Sequence, residues 1–197
     1  YLLGGKPSPA DFGLMAPMFA HLCRDPHSSH VTKLRAPQVF HWTERMNTAG
    51  IVDGEFPDLA PEYPDGDELP ATLLPILRFF FDECGPEIVG IVETFNARCD
   101  KHPDAKPGTA LRTDPESLTA HPMLGEFTYE SRRVKFHRQT YASALYGFQR
   151  ALDVVATLDK PGREKFDETI RRVGGETVIG VQMNQRIKLE NDQYTLE

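Results

Sequence analysis

The sequence predicts a mainly α-helical fold, a helical bundle carrying a small β-hairpin at its C-terminus. Three observations point there. Ser8-Pro9-Ala10-Asp11 is a helix start with its own cap, and apolar residues recur at three- and four-residue spacing over 73–95 and again over 141–155. The tail, 185–197, instead alternates on both sides of Asn191-Asp192, a pair that tolerates the positive φ angles of a tight hairpin turn.

The bulk properties set the frame. At 197 residues the chain suits one large domain or a domain with an appended lobe, and 40% apolar with 26% charged residues is the composition of a soluble globular protein. The longest apolar stretch, 69–81, is broken by Pro70, Pro75 and Arg78, so no membrane span is expected. A net charge of −7 argues against nucleic acid, since the cationic group Arg132, Arg133, Lys135 and Arg138 has Glu126 and Glu130 beside it and reads as a solvated face. Three cysteines, Cys23, Cys84 and Cys99, are an odd number at long spacing and read as free thiols in the cytoplasm or another reducing compartment. The chain opens at Tyr1 without Met or a signal-like segment, so further sequence is expected upstream.

The elements follow in order. Ser8 caps the first helix, Pro9 takes its first position, and Asp11 reaches back to the Ser8 amide. Phe12, Met15, Met18, Phe19 and Leu22 form its apolar stripe, with a kink at Pro17 and an end near Arg24. Residues 25–29 read as a loop. A second helix runs from Ala36-Pro37 to Met46 with Val39, Trp42 or Phe40, and Met46 inward. Residues 51–68 read as an acidic excursion between two lobes. The stretch 69–99 reads as two helices or one bent helix, interrupted at Gly85-Pro86. Residues 100–125 read as an irregular crossing, 126–136 as a short extended piece, and Tyr141 to Leu158 as a long amphipathic helix. A last helix runs from Pro161 to Val173 and stops at Gly174-Gly175. The expected organisation is residues 1–50 as one part and 51–197 as a helical extension packed on it, ending in the hairpin.

The opening stretch Leu2-Leu3-Gly4-Gly5-Lys6-Pro7-Ser8-Pro9-Ala10-Asp11-Phe12, with Trp42-Thr43-Glu44-Arg45-Met46 downstream, resembles the capping-box region of the glutathione S-transferase C-terminal all-helical domain. The resemblance covers about the first quarter of the chain and implies a helical bundle of that type with a long helical extension. It also implies that Ser8 and Asp11 are folding determinants rather than catalytic groups. In that family a thioredoxin-like domain binds glutathione and supplies the Tyr, Ser or Cys that activates its sulfur, and no residue here matches that role. Glutathione would therefore be a co-substrate only with the missing domain, and this chain alone would not be active.

Other constellations carry little chemistry. His27 and His30, with His21 nearby, form no ligand set with a supporting carboxylate other than Asp25, so no metal is expected. Asp65, Asp67 and Glu68 lie in an acidic loop without an apolar pocket to separate acid from base. Tyr1 reads as packing or disorder. His21 and Arg24, at the end of the first helix, are the candidates for contact with an acidic ligand, although cations at a helix C-terminus equally complement its dipole. The expected role is to supply a substrate-pocket wall and packing for glutathione-dependent conjugation or reduction of a hydrophobic electrophile, in a homodimer or larger assembly. A non-catalytic transferase-like scaffold is the rival expectation, and a self-contained small-molecule binding protein a third.

Overall fold

A computed structural model of the chain describes residues 1–48, 58–111 and 123–197. They form two compact units, Tyr1–Leu74 and Pro75–Glu197. The sequence placed its division at residue 50, and the first part of the acidic stretch behind that choice, 51–57, lies outside the described residues, as does 112–122 of the expected crossing.

In the first unit, α1 (Pro9–Pro17) begins where expected. Pro17 closes it because proline brings no amide to the ladder, and the chain widens into a π-helical turn, Met18–Leu22, in which the Cys23 amide reaches back to the Met18 carbonyl at 2.8 Å. The stripe expected on this helix is largely unburied, with Phe12 and Leu22 exposed. The loop expected over 25–29 is instead the start of α2 (Pro26–Arg35). Pro26 fills the first helical position, and the Ser28 hydroxyl donates to the Leu22 carbonyl at 2.6 Å. This helix has no apolar stripe to announce it, and Leu34 stands exposed on it. Next comes α3 (Pro37–Met46), which turns Thr43 and Met46 into the interior while Val39 remains exposed.

The second unit is built along α4 (Leu73–Lys101), whose first two residues belong to the first unit. Of the two readings the sequence allowed, it is the single helix, continuing through Gly85-Pro86 for 29 residues. Strands β1 (Met123–Ser131) and β2 (Val134–Tyr141) form an antiparallel hairpin. Its reversal uses Arg132 and Arg133, with φ of 47° and 65°, left-handed values that non-glycine residues adopt rarely. The hairpin lies along α4 in step with it. Ser131 donates to Glu83 at 2.8 Å, Tyr129 to Glu87 at 2.8 Å, Phe127 packs over Gly90 and Gly125 over Thr94. Every second strand residue thus meets every third or fourth helix residue, the two periodicities of strand and helix.

After β2 come α5 (Ala142–Ala156), α6 (Lys160–Val173) and the short α7 (Glu176–Gly180). The Asp159 carboxylate accepts from the Gly162 amide to open α6, and Gly174, at φ 74°, closes it in the left-handed conformation that glycine adopts without strain. Strands β3 (Ile187–Glu190) and β4 (Gln193–Leu196) turn at Asn191-Asp192, both at positive φ. Residues 108–111 add an outer row to β4: the Gly108 and Leu111 amides donate to the Leu196 and Tyr194 carbonyls, and Leu196 donates back to Thr109. The core joins Val92 and Phe95 of α4 to Leu111, Leu124, Ala142, Leu145, Ile187 and Leu196.

The expected helical bundle is therefore corrected. Among the described residues there are seven α-helices and two small antiparallel hairpins, 56% helix against 15% strand, a mixed α/β arrangement that is mainly helical. The bundle reading fails because the alternation of Phe127, Tyr129, Phe136 and Arg138 serves a complete second hairpin, so that strands lie against residues 83–94 of α4.

Candidate functional site

Ser8 and Asp11 lie at the start of α1, with 1% and 0% of their surfaces exposed. The Ser8 hydroxyl accepts from the Asp11 amide at 3.4 Å and donates to Asp11 Oδ2 at 2.6 Å, while the Ser8 amide donates to the same oxygen at 2.9 Å. The other carboxylate oxygen accepts from the Leu2 amide at 3.0 Å and from the Trp42 indole N–H at 3.2 Å. One carboxylate thus ties the N-terminal segment, α1 and α3 together. All its lone pairs point at donors, which leaves it no role as a base or nucleophile in this arrangement.

His21 and Arg24 fall at the end of the π-helical turn, and both are exposed. The Arg24 guanidinium lies over the Phe19 ring, 4.2 Å from its centroid, and the His21 carbonyl accepts from the Arg24 and Asp25 amides. His27 and His30 are on exposed positions of α2. Among the described residues no three His, Cys, Asp or Glu side chains gather as a metal ion requires. Of the acidic group, Asp65 sits in a one-turn 3₁₀ helix, Asp65–Asp67, and Glu68 is exposed. Tyr1 is half-buried.

The three thiols differ. Cys23 is buried, accepting a long contact of 3.7 Å from the Thr43 hydroxyl. Cys84 is exposed, with its pKa raised by desolvation and then by Glu87 and Glu83. Cys99 is half-buried and its thiol is pushed up by burial and by Asp100, with Arg98 opposing in part. Neither is tuned towards the thiolate that nucleophilic chemistry uses.

What the sequence did not single out is a cleft of about 310 Å³ beyond the last turn of α4. Its floor is Phe95, Leu111 and Leu196, all core residues, with Ala105 and Ala110 beside them. Arg98, Lys101, His102, Asp104 and Gln185 also line it. Lys101, His102 and Arg98 also border a second depression of about 460 Å³ between α4 and β1, which takes in Glu93, Thr94, Gly125 and Phe127. Only the fold could reveal this cleft. Its walls come from 95–105, 109–111, Gln185 and Leu196, four stretches that no local motif connects.

No family model matches the chain, and no curated protein or solved structure is significantly similar to it.

Proposed function

We propose that this chain is the C-terminal portion of a glutathione S-transferase-like protein, contributing a pocket wall and packing to glutathione-dependent conjugation or reduction. The observation that carries the reading is the buried Ser8–Asp11 node. Its reciprocal cap, with the Leu-Gly-Gly-x-Pro lead-in before it and Trp42 downstream, is the feature on which the resemblance rests. The activating hydroxyl or thiol and the glutathione site belong, on this reading, to a thioredoxin-like domain outside these 197 residues. Among the described residues no helix is long and apolar enough to cross a membrane, which is compatible with such a role.

The test is turnover. The product of the whole gene should conjugate glutathione to a chromogenic aryl halide, or reduce a disulfide with it, and should bind immobilised glutathione. A gene product without a thioredoxin-like domain and without glutathione turnover would overturn the enzyme reading in favour of a non-catalytic scaffold.

A further inference from the structure

We infer that the outer edge of β1 takes up an extended segment of another protein as an added strand, in the depression between β1 and α4. The segment is one that turns apolar side chains towards α4 and sets no acidic residue opposite Glu126 or Glu130. The inference is independent of glutathione and lies wholly within Pro75–Glu197.

The hairpin's own geometry fixes which groups the edge offers. Its turn is two residues long, so Ser131 and Val134 close it as a doubly hydrogen-bonded pair, and such pairs alternate with non-bonded ones along the ladder. Phe127, Tyr129 and Ser131 therefore turn their N–H and C=O groups towards β2, whereas Glu126, Thr128 and Glu130 turn theirs outward. Among the described residues no backbone hydrogen bond from outside the hairpin reaches these outward groups. The edge of β3 differs, since Gln149 closes it. A row of alternating donors and acceptors along an open strand is a template for another strand, and for little else.

What lies beside the edge sets the length and the chemistry. The depression of about 460 Å³ is bordered by residues 124–128 on the strand side and by one flank of α4 over residues 90–101. At roughly 1.5 Å per residue that flank is about 16 Å long, room for about five strand residues at roughly 3.3 Å each. In a strand antiparallel to β1, the residues opposite Glu126, Thr128 and Glu130 share the solvent face. Those between turn towards α4, where Phe127 and the small side chains of Thr94 and Ala97 border the depression and an apolar side chain fits. Glu126 and Glu130 are both exposed, and Glu126 meets only the His137 imidazole at 3.5 Å and the Gln139 amide at 3.2 Å, neither a fixed charge. Acidic residues opposite them are disfavoured, because like charges directly across a ladder repel. The same rule argues against a second copy of this chain. β1 paired antiparallel with its own counterpart about Thr128, the register that uses all three outward residues, would set Glu126 against Glu130 twice.

The probe is the peptide acetyl-Thr-Lys-Val-Thr-Val-Lys-Thr-amide, titrated into the 197-residue chain by calorimetry and by amide chemical shifts. Saturable binding is expected, with the largest shifts at residues 126–130 and at Ala97. N-methylation of the central Thr of the peptide removes a donor aimed at the Thr128 carbonyl and should weaken binding roughly tenfold. N-methylation of either Val, whose amide points away from β1, should change it by less than about twofold, a contrast that a merely adhesive peptide would not show. Glu in place of both Lys should weaken binding about threefold or more. Thr128→Pro deletes an outward N–H that β2 does not use, and should lose the peptide while its circular dichroism stays unchanged. No saturable binding, equal affinity for the two kinds of methylated peptide, shifts centred on β3 and β4 or on the first unit, or self-association of the chain through residues 126–130 would overturn the inference.

Discussion

Asp11 shows how one side chain can hold an entire segment. A carboxylate buried among the Leu2 amide, both donors of Ser8 and the Trp42 indole is stabilised by charge-assisted hydrogen bonds, and its removal leaves all of these donors buried without a partner. Asp11→Ala is expected to destabilise the first unit by about 3 kcal/mol, above the roughly 1 kcal/mol usual for a lost cap. Trp42 is the one tryptophan of the chain, so its fluorescence reports the loss directly during urea unfolding.

Gln149 is the second such residue. Its side-chain amide, 4% exposed, gives to the Ile187 carbonyl at 2.8 Å and takes from the Ile187 amide at 2.9 Å. It stands where a neighbouring strand would stand and closes the open edge of β3. Gln149→Leu keeps the volume but leaves two buried backbone groups unpaired, and a loss of about 2–4 kcal/mol is expected by chemical denaturation. Gln149→Glu should cost a similar amount at neutral pH, because the carboxylate retains the acceptor but has no N–H for the Ile187 carbonyl.

Arg186 and Asp153 make a bidentate pair at 2.9 and 3.0 Å, with Glu197 on the same guanidinium at 2.9 Å. The hydrogen bonds from Arg186 hold the Asp153 carboxyl below the usual carboxylate value. A folded-state pKa below the unfolded one stabilises the fold fully above about pH 4 and progressively less as the pH falls through the lower folded value. Asp153→Asn should therefore flatten the acid side of the stability profile and leave its slope above about pH 5 unchanged, as a series of thermal melts would show.

At the scale of elements, α4 and its hairpin are the feature to test. An added Cβ at Gly90 would come within 2.4 Å of the Phe127 ring, which stacks on Tyr129, itself stacked on Phe136. Tyr129 thus backs the ring on one side. Gly90→Ala would gain roughly 1 kcal/mol in helix propensity and lose about 1–3 kcal/mol to overpacking. Net destabilisation is expected, with amide exchange quickening over 125–139 before it does in α5.

The same element explains what the sequence could and could not convey. Helix boundaries were legible wherever a residue type does one local job: Ser8 and Asp11 at α1, Pro37 at α3, Gly174 after α6, Asn191-Asp192 between β3 and β4. α2 was not, because its polar surface gives no periodicity and only Pro26 marks its start. The first hairpin was seen as an extended piece because its turn is Arg132-Arg133, two residues without turn chemistry, held in left-handed conformations while Arg132 contacts Glu83 and the Phe79 ring. Pro86 left two readings open, two helices or one bent helix. α4 runs on through Pro86 as one helix in spite of the missing amide, as tertiary context can override local preference.

At the scale of the molecule, two units carry different interiors. The first rests on small and polar buried groups, Ser8, Asp11, Ser29 and Thr43 with Cys23 and Met46. The second rests on an apolar cluster around Phe95 and Leu145, where truncation to alanine should cost about 3–5 kcal/mol. The candidate site residues legible in the sequence, His21 and Arg24, belong to the first unit, whereas the cleft belongs to the second. A cleft assembled from four separated stretches leaves no spacing for a sequence to display.

The claim on which this account most depends is that these 197 residues hold no self-contained glutathione site. Calorimetric titration of glutathione into the isolated chain, beside the same titration into the whole gene product, tests it most directly. The account predicts no saturable heat for the isolated chain and a saturable isotherm for the whole product. Micromolar binding by the isolated chain would contradict it.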